Sequence, residues 1–110
     1  MQKQGISNHL KTFSPIAPHI AWRTDFTHII FHGVHLYLAT ILDAYTKQIL
    51  GYTLSLHHTQ EFVLEALKSA IKNTGKIPQY FHSDQGSEYR SFLMMQYLLE
   101  HKITPSMSRK

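Results

Sequence analysis

The sequence contains no cysteine. That excludes disulfide staples and thiolate-bound zinc, and is compatible with a reducing compartment. No apolar run approaches the roughly 18 residues that would cross a bilayer. The first residues lack the basic-then-apolar pattern of a secretory signal. The basic residues are scattered and form no cluster. What remains is a chain of 110 residues, enough for one domain, with a hydrophobic fraction of 43%. Such a fraction suits a folded core and is too high for a disordered segment. Eleven Lys and Arg stand against seven Asp and Glu, a formal charge of +4. A basic balance suits a nucleic-acid partner, whose phosphates dominate affinity, but many basic proteins bind nothing of the kind.

Residues 1–20 show neither helical nor strand period and contain Pro15 and Pro18, so they read as an arm or linker. Residues 21–110 read as the folded unit. Ala21–Ile30 is rich in aromatic and β-branched residues and predicts a strand. His32-Gly33 then predicts a tight turn, and Val34–Asp43, nearly all apolar, a strand central in a sheet. Residues 49–56, with Leu50, Tyr52, Leu54 and Leu56 alternating, predict a half-buried third strand. Short links between these three imply an antiparallel meander.

The period then changes. Phe62, Val63, Ala66, Leu67, Ala70 and Ile71 mark an amphipathic helix, with Thr59 as its expected N-cap. Glu61 suits its positive end, and Gly75 and Pro78 close it. Residues 79–83 predict a fourth strand. Ser91 is placed to cap a second helix over 92–100, apolar on most sides and hence expected to be buried. Residues 102–108 offer a fifth strand.

A strand, a helix and a further strand normally pair in parallel with a right-handed crossover. The order β-β-β-α-β-α-β therefore fits a mixed sheet whose first strand is central, with the meander on one side and the fourth strand parallel on the other. In that arrangement Asp25, inside the first strand, and Asp84, at the end of the fourth, come side by side although 59 residues (84 − 25) separate them. Neighbouring carboxylates repel unless a proton or a cation intervenes. Mg²⁺ takes oxygen ligands and keeps several waters, so a pair of carboxylates plus substrate phosphate suits it. The competing reading of "HSDQGSEY" is an ordinary turn, for which Asp and Gly are common.

The segments "WRTDFTHI", "YLATILDAYTKQILGYTLS", "HSDQGSEYRS" and "ITPSMSRK" resemble, in order and spacing, the catalytic core of bacterial insertion-sequence transposases, an acidic-triad domain of the retroviral-integrase type. The resemblance covers about residues 20 to 110. It implies an α/β, RNase H-like fold and Mg²⁺- or Mn²⁺-dependent cleavage and joining of DNA at transposon ends. The first and second catalytic aspartates fall on Asp25 and Asp84. It also implies assembly with copies of itself in the full-length protein and a bacterial cytoplasmic, nucleoid-associated location, with no membrane partner. The family's third acid, a glutamate about 35 residues after the second aspartate, is part of the motif's meaning. Only 26 residues (110 − 84) follow Asp84. The expectation is thus a core truncated before its third acid, without the family's upstream DNA-recognition helices, and inactive in strand transfer by itself. Two other readings stay open: a non-catalytic DNA-binding or oligomerising fragment, which the missing glutamate favours, and an RNase H-like nuclease acting on RNA.

Among other residues, Glu88 reads as a solvent-exposed loop acid rather than a substitute third ligand, and Asp43 as a turn or capping group. The spacing of His28, His32 and His35 puts no more than two of them on one face, so structural or surface roles are expected. His82 shares Asp84's strand face, where it either packs or approaches phosphate. Tyr89 and Arg90 are candidates for base stacking and phosphate pairing. Ser106, Ser108, Arg109 and Lys110 lie where the family approaches DNA; a frayed terminus is the competing reading. Trp22 and Tyr37 are expected in the core. His57-His58 is expected to end a strand, and Lys47, Lys68, Lys72 and Lys76 to face solvent.

Overall fold

A computed structural model describes residues 16–57, 61–84 and 87–107, without the side chains of Ser87 and Glu88. Five strands form one sheet: β1 (Ala21–Phe31), β2 (Val34–Asp43), β3 (Ile49–Ser55), β4 (Tyr80–Ser83) and β5 (Thr104–Met107). Their order is β3-β2-β1-β4-β5, with β1 central. The meander β1-β2-β3 is antiparallel, and β4 and β5 are parallel additions. This is the arrangement anticipated from the strand and helix order, a mixed RNase H-like sheet. The β1–β2 link is made by His32 and Gly33 at φ 50° and 77°. Two positive values in succession suit the right-handed twist of a tight hairpin.

Helix α1 (Phe62–Thr74) crosses from β3 to β4. It buries Phe62, Val63, Leu64, Ala66, Leu67 and Ala70, and ends on Gly75 in the left-handed conformation. Its N-cap position is Glu61, which makes no side-chain capping bond; Thr59 lies outside the described residues. Gly51 explains how closely α1 approaches the sheet. A Cβ there would lie 2.5 Å from the backbone nitrogen of Ala70 and 3.0 Å from the carbonyl oxygen of Ala66. The glycine is needed for space, which the alternating pattern of β3 does not reveal.

Helix α2 (Phe92–Glu100) follows a 3₁₀ turn (Ser87–Arg90). Ser91 caps it as expected, its hydroxyl accepting the Met94 N–H at 3.2 Å. The expected burial is corrected: only Met94 and Leu98 are buried, whereas Phe92 and Leu99 are 76% and 78% exposed. A helix apolar all round needs cover on every side, and the described elements cover one. The core gathers Trp22, Ala39, Ile41, Phe81, the inner face of α1, and Met94 and Leu98 of α2. Tyr37 packs only at its margin and stacks on His28, ring centroids 4.9 Å apart.

Asp43 behaves as a turn residue. It is buried, and its Oδ1 accepts the N–H groups of Tyr45 at 2.7 Å and Thr46 at 3.1 Å while Oδ2 accepts that of His19 at 2.7 Å. Among the described residues no group of three or more His, Asp and Glu side chains could hold a metal, and His28 and His35 only stack and share a hydrogen bond of 2.8 Å. No helix is long and apolar enough to cross a membrane among the described residues.

Candidate active site

The candidate site lies where β1 and β4 run parallel. Arg23 is paired in register with His82. Side chains alternate along a strand, so Arg23 and Asp25 share one face of β1 and His82 shares it on β4. Trp22, Thr24 and Phe81 point to the opposite face, where they meet the core. The apolar alternation thus fixes the polar set: once Trp22 and Phe81 face inward, Arg23, Asp25 and His82 are placed together.

Asp84 stands one residue beyond the last residue of β4. One guanidinium nitrogen of Arg23, Nη2, lies 3.3 Å from Asp25 Oδ1 and 4.0 Å from Asp84 Oδ2. These two oxygens are therefore at most about 7.3 Å apart, the sum of the two distances. Both carboxylates reach solvent, with side-chain exposures of 46% for Asp25 and 61% for Asp84. Two hard oxygen donors already gathered around a positive charge, with room for water, form a donor set that fits a small divalent cation.

His82 is buried, its Nδ1 2.9 Å from the Ser106 hydroxyl of β5 and its Nε2 3.7 Å from Asp84 Oδ1. Ser106 was missed as a supporting residue; it is fully buried inside β5 rather than part of a frayed end. The sequence placed it in the fifth strand and, by resemblance, near DNA, but gave no sign of its bond to His82.

Tyr89 requires a correction. It is buried, and its hydroxyl lies 2.6 Å from the Phe81 carbonyl oxygen, to which it donates, and 3.0 Å from that of Ser106. Its ring also meets Phe81 edge-on at 6.4 Å. A side chain so enclosed ties the 3₁₀ turn to β4 and β5 and has no face free for base stacking. Arg90, next to it, is exposed. Ser108, Arg109 and Lys110 lie outside the described residues.

Residues 16–110 match the family model described as "Integrase core domain". The chain belongs to that family. Among its relatives are the putative transposase InsK for insertion sequence element IS150 of Escherichia coli K12, 35% identical over 102 residues, and the putative transposase for IS986/IS6110 of Mycobacterium tuberculosis, 31% identical over 102 residues. These matches cover 91% and 87% of this chain but only 36% and 37% of the relatives. The chain thus spans little more than a third of the length of the curated relatives it matches. Two solved structures share the integrase-core fold. The HTLV-2 integrase catalytic core in complex with magnesium matches with a TM-score of 0.72 at 21% identity, over 82% of this chain and 60% of that one. The simian T-cell lymphotropic virus intasome in complex with the PP2A regulatory subunit B56 gamma matches with a TM-score of 0.75 at 19% identity, over 97% of this chain and 36% of that one.

Proposed function

We propose that this integrase core contributes the first two acids of a DNA strand-transfer site, Asp25 and Asp84, which hold Mg²⁺ or Mn²⁺. The observation that carries the reading is the single Arg23 nitrogen in reach of both carboxylates. It supports the reading that two acids distant in sequence share one cation site, in a family whose insertion-sequence relatives are named transposases. A divalent ion bound there would supply the concentrated positive charge that phosphodiester exchange requires. The protein's own part is to orient it. Asp25 is set by the β1 ladder and Asp84 by the end of β4, and His82, anchored on Ser106, stands beside Asp84, where it is assigned to the substrate phosphate. Arg90, with Arg109 and Lys110, is assigned to the DNA backbone, where guanidinium and ammonium groups pair with phosphate. Residues 1–20 serve as an arm ahead of the core over 21–110, and copies of the full-length protein associate on DNA.

Metal titration followed by calorimetry tests the site. We expect weak Mn²⁺ or Mg²⁺ binding that disappears in an Asp25→Asn, Asp84→Asn double variant; undiminished binding would place the metal elsewhere. The stretch of 110 residues carries two acids of the expected three, so by itself it should not join strands. Loosening metal geometry by about 1 Å can cost on the order of a hundredfold in rate. A cleavage and joining assay on matching transposon ends decides this. Activity that vanishes in Glu88→Gln would instead make Glu88 the third acid.

A further inference from the structure

Arg23 already occupies the electrostatic position between the two aspartates. It is 3.3 Å from one carboxylate and 4.0 Å from the other, through the same nitrogen. A divalent ion seeking the same oxygen lone pairs meets a fixed positive charge a few ångströms away, and like charges at that distance repel strongly. The two therefore compete for the same pair of carboxylates. Resting on the two-aspartate reading above, we infer that Arg23 is a built-in counterion: it holds the site together without metal, gives way when a divalent cation arrives, and turns to the DNA phosphate, so that metal and DNA bind cooperatively.

Three features support this exchange. The Arg23 side chain is 34% exposed, so the guanidinium has a route outward. Its buried Nε has no hydrogen-bond partner, so its present position leaves a donor unsatisfied and gives up little on leaving. The guanidinium fork matches phosphate with two parallel hydrogen bonds, a better arrangement than the single long contact to Asp84. His82 reaches only one of the two carboxylates, its Nε2 3.7 Å from Asp84 Oδ1, while its Nδ1 is held by Ser106. Coupling follows by linkage: whatever draws Arg23 away from the carboxylates raises their affinity for metal, and metal in turn releases Arg23 for phosphate.

The test is Mn²⁺ calorimetry on the 110-residue chain and on Arg23→Gln, each with and without a short DNA duplex of arbitrary sequence. Without DNA, Arg23→Gln should bind Mn²⁺ about two- to fivefold more tightly, the scale of losing one partly exposed ion pair. With DNA, the wild-type chain should gain affinity for Mn²⁺ and the variant should gain less. Unchanged or weaker metal binding in Arg23→Gln would overturn the inference. So would equal tightening in Lys72→Gln, which removes the same charge from α1 on the other side of the sheet and would assign the effect to net charge. Adding Asp25→Asn and Asp84→Asn to Arg23→Gln separates the two levels. Loss of binding leaves the counterion role standing, whereas persistent binding refutes the two-aspartate site itself.

Discussion

Tyr89 shows how much one hydroxyl can hold. It joins the carbonyls of Phe81 and Ser106, one on each of two adjacent parallel strands. Tyr89→Phe keeps the ring and removes the tie, leaving the Phe81 carbonyl without this donor, at a cost of about 1–3 kcal/mol. For a domain of this size that corresponds to a fall in Tm on the order of 4–8 °C per kcal/mol. Thermal melts check it, and DNA affinity at fixed salt should change much less than stability. None of this was legible in "SEYR". A tyrosine after a polar turn looks like a contact residue, and only the tertiary approach of β4 and β5 gives its hydroxyl two partners. The two aspartates were legible because both their strands carry a clear inward apolar set. Arg23 was not: alternation puts it on the face of Asp25, but its reach to Asp84 depends on the parallel register of β1 and β4.

At the scale of elements, Gly51 and Ser91 make opposite cases. Ser91 announced itself by preceding an apolar run, and its hydroxyl caps α2. Ser91→Ala should cost about 1 kcal/mol, the usual worth of an N-cap, measurable by denaturant titration. Gly51 gave no such sign, since a glycine in a strand has several explanations. Its Cβ position is filled by the backbone of α1 at Ala66 and Ala70. Backbone cannot step aside like a flexible side chain, so Gly51→Ala should push α1 off β3 and cost about 1–3 kcal/mol or more. The strand order was readable from the chain order because crossover handedness admits few alternatives. The exposure of α2 was not readable, because a sequence states that a helix is apolar without stating what covers it.

Over the whole molecule, apolar surface and positive charge set behaviour in solution. Tyr52, Leu54, Leu56, Phe92 and Leu99 are all more than half exposed. Exposed apolar side chains on this scale favour association, so sedimentation of the 110-residue chain should show concentration-dependent oligomers. The charge of +4 should bring weak DNA binding that falls steeply with salt, with a log–log slope of about −0.9 per phosphate neutralised. Fluorescence anisotropy at several salt concentrations reads that slope. The two aspartates, finally, are mounted differently. Asp25 sits within a ten-pair ladder on the central strand, paired with Thr40, while Asp84 stands past the end of β4. The site is a vice with one jaw cast into the frame and the other on the slide. Any adjustment of its width must be made through Asp84, and backbone order parameters from NMR should therefore be higher at Asp25 than at Asp84.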